Sequence, residues 1–226
     1  MRNFKRTLIP IIITLSATSC GATLRQDVAD FIASFSYENA RNSVLKGHYI
    51  DKLEGKYNDK DCLFYDEIIF DVTSPENYVY KHVFKCKNYG ILLDDDYVEE
   101  VVKNGDSYTY VKGDVRNEIT YELAYNYTSR FFYTEYYSQT KRYNGAMYYG
   151  DMILDQAIKQ QTFVTIDQEA RIYRYKIDKV KSEGSDIVTS IDYSVNDIGM
   201  LLSLVDSAYS ESDPTTYYTE TITVNY

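Results

Sequence analysis

Two residues of this 226-residue chain, Asp66 and His82, could form an acid and base pair. Each lies in a segment where apolar and polar residues alternate, and a turn at residues 73–77 separates the two segments. In one register of the resulting hairpin, Asp66 lies directly opposite His82 on the same face. No serine or cysteine nucleophile is placed beside them, and a strand histidine is more often a packed residue than a base. The pair therefore predicts a structural contact.

Familiar catalytic motifs are missing from the sequence. It contains no Gly-x-Ser-x-Gly, no His-Glu-x-x-His, no Cys-x-x-Cys and no glycine-rich phosphate loop. The other histidine, His48, is far from His82 along the chain and is predicted to lie exposed at the start of a strand. We therefore predict that the protein is not an enzyme and needs no cofactor.

The chain has three cysteines, Cys20, Cys62 and Cys86. The register that places Asp66 opposite His82 also places Cys62 opposite Cys86, and a shift of two residues leaves these cysteines as diagonal neighbours. In an exported protein such a pair can be oxidised, and the closed loop would contribute about 3 kcal/mol. We expect a disulfide between Cys62 and Cys86, with two buried thiols as the alternative.

Five carboxylates cluster in the acidic run at residues 94–100. Carboxylate oxygens are ligands for Ca²⁺, but the run lacks the alternating acidic spacing and the glycine of a calcium loop. We therefore expect a solvated acidic turn. Whether the run binds a cation is left open, and no other pattern predicts a metal site.

The first twenty residues have the pattern of an export signal. A basic start precedes the apolar stretch 8–15, which is much shorter than the ~20 residues that cross a bilayer. The segment 17–20, Ala-Thr-Ser-Cys, resembles the lipobox of bacterial lipoproteins, although Ala and Ser replace the commoner Leu and Gly or Ala. The resemblance implies removal of residues 1–19 and attachment of diacylglycerol and palmitate-type chains to Cys20. The protein would then be anchored at the extracytoplasmic face of the cell membrane. Ordinary secretion is the alternative.

Composition describes the mature chain, residues 20–226. It has 21 basic and 34 acidic residues, a formal charge of −13, which repels nucleic acids and anionic headgroups at long range. The 26 Tyr and 9 Phe residues of the full chain, all but Phe4 within the mature part, favour β structure. No Pro-, Gly- or Ser-rich linker interrupts this chain, so we predict a single extracytoplasmic domain.

Two apolar stripes at helical spacing predict helices. The first follows a Thr23 N-cap and contains Leu24, Val28, Phe31, Ile32 and Phe35. The second, within residues 150–161, contains Met152, Ile153, Ala157 and Ile158. Residues 118–137 fit both helix and strand patterns, and we expect mixed structure with a loop around Asn126.

The remaining segments alternate with period two and predict antiparallel strands. One hairpin joins residues 62–72 to 78–86, and another turns at 104–106. Residues 162–226 predict a meander with turns at 182–186, 196–199 and 210–215. Strands of this length favour a large curved antiparallel sheet over a compact sandwich. The predicted fold class is therefore α+β.

This order of elements resembles the LolA and LppX type of lipoprotein carrier over residues 24–226. In that family an open half-barrel, lidded by helices, encloses an apolar cavity for acyl chains. The resemblance implies a lid of one N-terminal and one mid-chain helix, and a lipid or other amphiphile as ligand. The implied cavity-lining candidates are Leu24, Val28, Phe31, Ile32, Phe35, Met152, Ile153 and Ile158. The alternative is a surface adhesion or assembly module whose exposed Tyr-rich sheet face contacts an unknown protein partner.

Overall fold

A computed structural model describes residues 24–57, 59–88, 95–129, 135–137, 142–144, 148–149, 153, 160–181 and 183–226. The predicted signal with Cys20, the Thr23 cap, and Met152 and Ile158 lie outside these residues. Within the described ranges, no helix is long and apolar enough to cross a membrane.

Eleven antiparallel strands form one curved sheet that does not close. The first six strands are β1 (Lys46–Tyr57), β2 (Lys60–Asp71), β3 (Val79–Lys87), β4 (Asp95–Asn104), β5 (Ser107–Lys112) and β6 (Val115–Ile119). The short strands β7 (Glu135–Tyr137) and β8 (Arg142–Asn144) pair with each other as a separate hairpin. The last five are β9 (Val164–Asp167), β10 (Ile172–Lys181), β11 (Ile187–Asn196), β12 (Leu201–Ser210) and β13 (Tyr217–Asn225).

The sheet consists of two meanders, β1–β6 and β9–β13, in which each strand pairs with its neighbour in sequence. Strands β1 and β13 join the meanders, with His48 opposite Asn225. Because hairpin connections generate antiparallel neighbours, this topology follows from the alternating segments and turns of the sequence. The predicted α+β fold with a large open antiparallel sheet is confirmed.

The hairpin of β2 and β3 has the shifted register of the two that the sequence allowed. Phe64 lies opposite Cys86, and Ile68 lies opposite His82. Cys62 and Cys86 are therefore diagonal, both are present as thiols, and the predicted disulfide is not formed in this structure. The Cys62 thiol instead donates a hydrogen bond to the Asn88 carbonyl, with 3.0 Å between sulfur and oxygen.

The hairpin predicted around Gly105 is present as β4 and β5, and Gly105 has a φ of +62° that suits glycine. The expectation of a solvated turn at 94–100 is wrong for the described residues, because 95–104 form strand β4. Side chains of a strand alternate between its two faces, so Asp96 and Glu99, three positions apart, lie on opposite faces. Asp96 is exposed, whereas Glu99 is buried.

The predicted N-terminal helix is present as α1 (Gln26–Ile32), which ends before Phe35, and a second short helix that the sequence did not predict, α2 (Tyr37–Ser43), follows it. The Ser36 hydroxyl accepts a hydrogen bond from the Asn39 amide at 3.3 Å and caps α2. The apolar stripe of α1 faces the sheet as predicted, with Val28 and Ile32 buried.

The third helix, α3 (Tyr121–Ser129), lies where the sequence predicted a loop around Asn126, so that prediction is wrong. The Thr120 hydroxyl accepts a hydrogen bond from the Leu123 amide at 3.2 Å, which caps the helix. Ala124 is fully buried, and Tyr127 stacks on Tyr110 of β5 with 4.8 Å between ring centroids. Contacts with the sheet therefore decide a segment that propensity leaves open.

All three helices cover the same face of the sheet, which we call the inner face. Phe31 of α1 lies 6.3 Å from Tyr173 of β10, measured between ring centroids. The Tyr78 hydroxyl, beside β3, donates to the Ala124 carbonyl of α3 at 2.8 Å. Most of the core therefore lies between the helices and the inner face, and the opposite, outer face carries mainly polar side chains.

Candidate functional site

A row of ionisable side chains crosses six adjacent strands on the inner face, and we call it the polar band. Its members are Glu99 on β4, His82 on β3, Asp66 on β2, Asp51 on β1, Glu220 on β13 and Asp206 on β12. Direct cross-strand pairs join Glu99 to His82, Asp66 to Asp51, and Asp206 to Glu220. The other two steps are diagonal, so the row is continuous.

One end of the band, the paired half, consists of Glu99, His82 and Asp66. The His82 Nε2 atom lies 2.6 Å from Asp66 Oδ1, and Nδ1 lies 3.1 Å from Glu99 Oε1. The hydroxyls of Tyr80 and Tyr110 each donate to Glu99 at 2.7 Å. The predicted contact of Asp66 with His82 is therefore present, within a larger network that also contains Glu99.

Electrostatics fix the charge state of the paired half. Burial lowers the pKa of His82, but hydrogen bonds with Asp66 and Glu99 outweigh burial and raise this pKa to about 9. Burial raises the pKa of Glu99, but hydrogen bonds from His82, Tyr110 and Tyr80 outweigh it and hold this pKa at about 2. At neutral pH, His82 is therefore an imidazolium held between two carboxylates.

The other end of the band, the carboxylate half, consists of Asp51, Glu220 and Asp206. Asp51 is 7% exposed and Glu220 is 9% exposed. The Tyr49 hydroxyl donates to Asp51 Oδ2 at 3.2 Å, and the Tyr218 hydroxyl donates to Asp206 Oδ2 at 3.2 Å. The second oxygens, Oδ1 of Asp51 and Oδ1 of Asp206, are buried and have no hydrogen-bond partner among the described residues.

In the carboxylate half, burial and like charges raise the pKa values of the acids. Burial, followed by the charges of Glu220 and Asp66, raises the pKa of Asp51 to about 8. Burial and the charge of Asp206 raise the pKa of Glu220 to about 7. Burial also raises the pKa of Asp206. Adjacent buried carboxylates cannot all ionise without a nearby cation, so Asp51 and Glu220 hold a proton between them at neutral pH.

The tyrosines lie mainly on the side of the polar band. Among the described tyrosine side chains, Tyr209 and Tyr217 are the exposed ones, and they form a cross-strand pair on the outer face. The others are buried or half-buried, and several supply hydroxyl donors to the band. The described outer face therefore offers a small aromatic patch rather than a Tyr-rich surface.

The predicted cavity-lining residues lie in the packed core where they are described. Val28, Ile32 and Ile153 are between 0% and 7% exposed, and Leu24, Phe31 and Phe35 pack at the margin of the same core. A groove of about 910 Å³ lies on the outer face beside β9, and polar residues such as Asp167, Arg174 and Asp192 line it. None of the lining candidates that the structure describes borders this groove.

Sequence reasoning missed the carboxylate half. Its signal is an acidic residue at a position where alternation demands an apolar one, as at Glu220 between Tyr218 and Ile222 in β13. Asp51 has the same position between Tyr49 and Leu53 in β1. An isolated acid in an inward-facing series therefore marks this band, as Asp66 does in β2.

The band does not have the geometry of a metal centre. Within the described ranges, no group of three or more His, Cys, Asp or Glu residues could hold a metal ion. No protein-family model matches this chain, and no curated protein matches it. The chemistry of the band therefore rests on its own residues.

Proposed function

We propose that residues 20–226 form a lipoprotein, anchored through Cys20 at the extracytoplasmic face of the cell membrane. It binds an amphiphilic or hydrophobic ligand on the inner face of its open sheet and catalyses no reaction. The observation that carries this proposal is the composition of the inner face, where aromatic side chains border a continuous row of ionisable groups. An amphiphile has an apolar body and a polar head, and both find complementary groups there.

The state of His82 supports a non-catalytic role. Both of its ring nitrogens are engaged by carboxylates, and its raised pKa keeps it protonated at neutral pH. A general base needs an unprotonated nitrogen directed at a substrate. In this arrangement His82 instead neutralises two buried carboxylates.

The length of the N-terminal tether supports a position close to the membrane. Residues 21–23 separate Cys20 from Leu24, which already packs at the margin of the core. At about 3.5 Å for each extended residue, the tether spans about 14 Å at most. A domain held within this distance could exchange an amphiphile directly with the lipid surface.

The anchor is tested by replacing Cys20 with serine, which keeps the size of the side chain and removes the lipidated thiol. Native protein should partition with membranes and with the detergent phase, and Cys20→Ser protein should become water-soluble after export. Equal membrane partition of the two proteins would refute lipidation at Cys20.

Ligand binding is tested on the detergent-free Cys20→Ser protein by native mass spectrometry. We expect a co-purifying, lipid-sized mass that is lost on denaturation. A clean protein mass that also takes up no added lipid would refute the ligand-binding role. That result would favour an assembly role for the patch of Tyr209 and Tyr217. In that case the protein should cross-link to a partner, and the double variant Tyr209→Ser with Tyr217→Ser should abolish the cross-link.

A further inference from the structure

We propose that the carboxylate half of the polar band binds the protonated primary amine of a cationic amphiphile. This inference rests on the proposed function, since it assigns a head group to the ligand of the inner face. The residues that would contact the ammonium are Asp51, Glu220 and Asp206.

The two halves of the band provide an internal comparison. In the paired half, the His82 cation lies between Asp66 and Glu99 and hydrogen-bonds to both. In the carboxylate half, no described lysine, arginine or histidine forms an ion pair with Asp51, Glu220 or Asp206. Buried carboxylates are normally paired with a cation, so this half has the chemistry of a site for an external one.

The unpartnered oxygens specify the kind of cation. Asp51 Oδ1 belongs to a side chain that is more than nine-tenths buried, and apart from the proton that Asp51 shares with Glu220 it has no donor directed at it among the described residues. Asp206 Oδ1 is also buried without a donor. Such oxygens need N–H donors, and charge-assisted hydrogen bonds are the strongest kind. A primary ammonium has three N–H donors for three carboxyl groups, whereas a quaternary ammonium has none.

The neighbouring side chains suit an apolar body. Tyr49, Ile222 and Leu204 occupy the adjacent row of the inner face on the same three strands. Burial, followed by the charges of nearby Glu220, Asp51 and Asp206, raises the pKa of Tyr149. Aromatic rings beside carboxylates favour an ammonium through cation–π attraction, and the aliphatic side chains favour an alkyl chain.

The test compares four probes that share one ten-carbon chain: n-decylamine, decyltrimethylammonium, 1-decanol and decanoate. Binding to the Cys20→Ser protein is measured by titration calorimetry at pH 7, below the micelle concentration. We expect decylamine to bind at least tenfold more tightly than decanol, and decyltrimethylammonium to bind more weakly than decylamine. Decanoate should bind most weakly, because the carboxylates repel it.

Two variants locate the site. The double variant Asp51→Asn with Glu220→Gln keeps the side-chain shapes and removes both acids, so decylamine affinity should fall at least tenfold to the level of decanol. Glu54→Gln is the matched control, because Glu54 is exposed on the outer face of β1. It should leave the affinities for all four probes unchanged.

The outcomes separate this inference from the proposed function. Equal binding of decylamine and decanol would overturn the amine site and leave an amphiphile-binding protein. Binding of none of the probes would contradict the proposed function itself. If the double variant does not fold, the head-group series on the Cys20→Ser protein still decides between these results.

Discussion

Replacing Asp51 with asparagine should stabilise the folded protein at neutral pH, although it removes a charged residue. The pKa of Asp51 is raised from its ordinary value of 3.8 to about 8 by burial and by the charges of Glu220 and Asp66. Between these pH values the folded state keeps a proton that the unfolded chain releases. The free energy of unfolding therefore falls as pH rises from about 4 towards 8.

The magnitude follows from the pKa difference. Each pH unit between the unfolded and folded pKa values costs about 1.4 kcal/mol per group. From pH 3.8 to pH 7 this amounts to about 4 kcal/mol for Asp51. Glu220 shares the proton, so part of this cost belongs to Glu220. We therefore expect the free energy of unfolding of Asp51→Asn, relative to that of the native protein, to be about 2–4 kcal/mol higher at pH 7 than at pH 4. Asparagine can still accept the hydrogen bond from the Tyr49 hydroxyl.

The assay is urea unfolding of the native and variant proteins at pH 4.5, 6, 7 and 8, followed by circular dichroism. The difference in unfolding free energy should grow with pH for Asp51→Asn and stay flat for the exposed control Glu54→Gln. If the Asp51→Asn curve runs parallel to that of the native protein over this range, Asp51 is not a buried, proton-retaining carboxyl and the reasoning fails.

Contacts at His82, Gly55 and Cys62 have consequences that can be measured. In an NMR titration, the His82 ring should remain protonated from pH 6 to 8 and lose its proton near pH 9, and a midpoint near 6.5 would contradict the ion pair. The variant His82→Gln should unfold with a free energy about 3–5 kcal/mol lower than that of the native protein at pH 7, and the difference should be smaller above pH 9. The variant Gly55→Ala should have a free energy of unfolding, measured with urea, about 1–3 kcal/mol below that of the native protein, because the new Cβ would lie 2.2 Å from the Tyr217 carbonyl oxygen. The control Gly47→Ala, which meets the Phe70 side chain, should lose less, and equal losses would contradict the close strand approach. In the Cys20→Ser protein, a thiol reagent should label Cys62 before the buried Cys86, and failure to label either after unfolding would indicate a disulfide.

The sequence predicts strands well where inward-facing residues are apolar. In β2, Phe64, Ile68 and Phe70 alternate around the single Asp66, and the strand is predicted. Strand β1 is predicted only at its start, at His48. Its inner face carries Asp51 and two glycines, Gly47 and Gly55, so the hydrophobic alternation is lost along the rest of the strand. Polar residues at inward-facing positions therefore weaken the strand pattern in the sequence, and the same residues form the polar band.

Register is harder to predict than strand location. A shift of two residues keeps every side chain on its own face, so alternation cannot distinguish the two registers of β2 and β3. The turn between Asp71 and Val79 decides between them, and it makes Asp66 and His82 diagonal neighbours that still touch. The carboxylate half needs strands β1, β12 and β13 together, and no local pattern brings residues 51 and 220 into contact.

The joining of the two meanders has a consequence for the folding pathway. Each meander consists of local hairpins that can close quickly, whereas β1 and β13 come from distant parts of the chain and form contacts of high sequence separation. Asp51 belongs to one meander, and Glu220 and Asp206 belong to the other, so like charges meet where this slow association takes place. Low pH should therefore accelerate the final association of the meanders, and a cation bound between them would slow their separation. The polar band thus makes the joint between the meanders the part of the sheet most sensitive to its solution conditions.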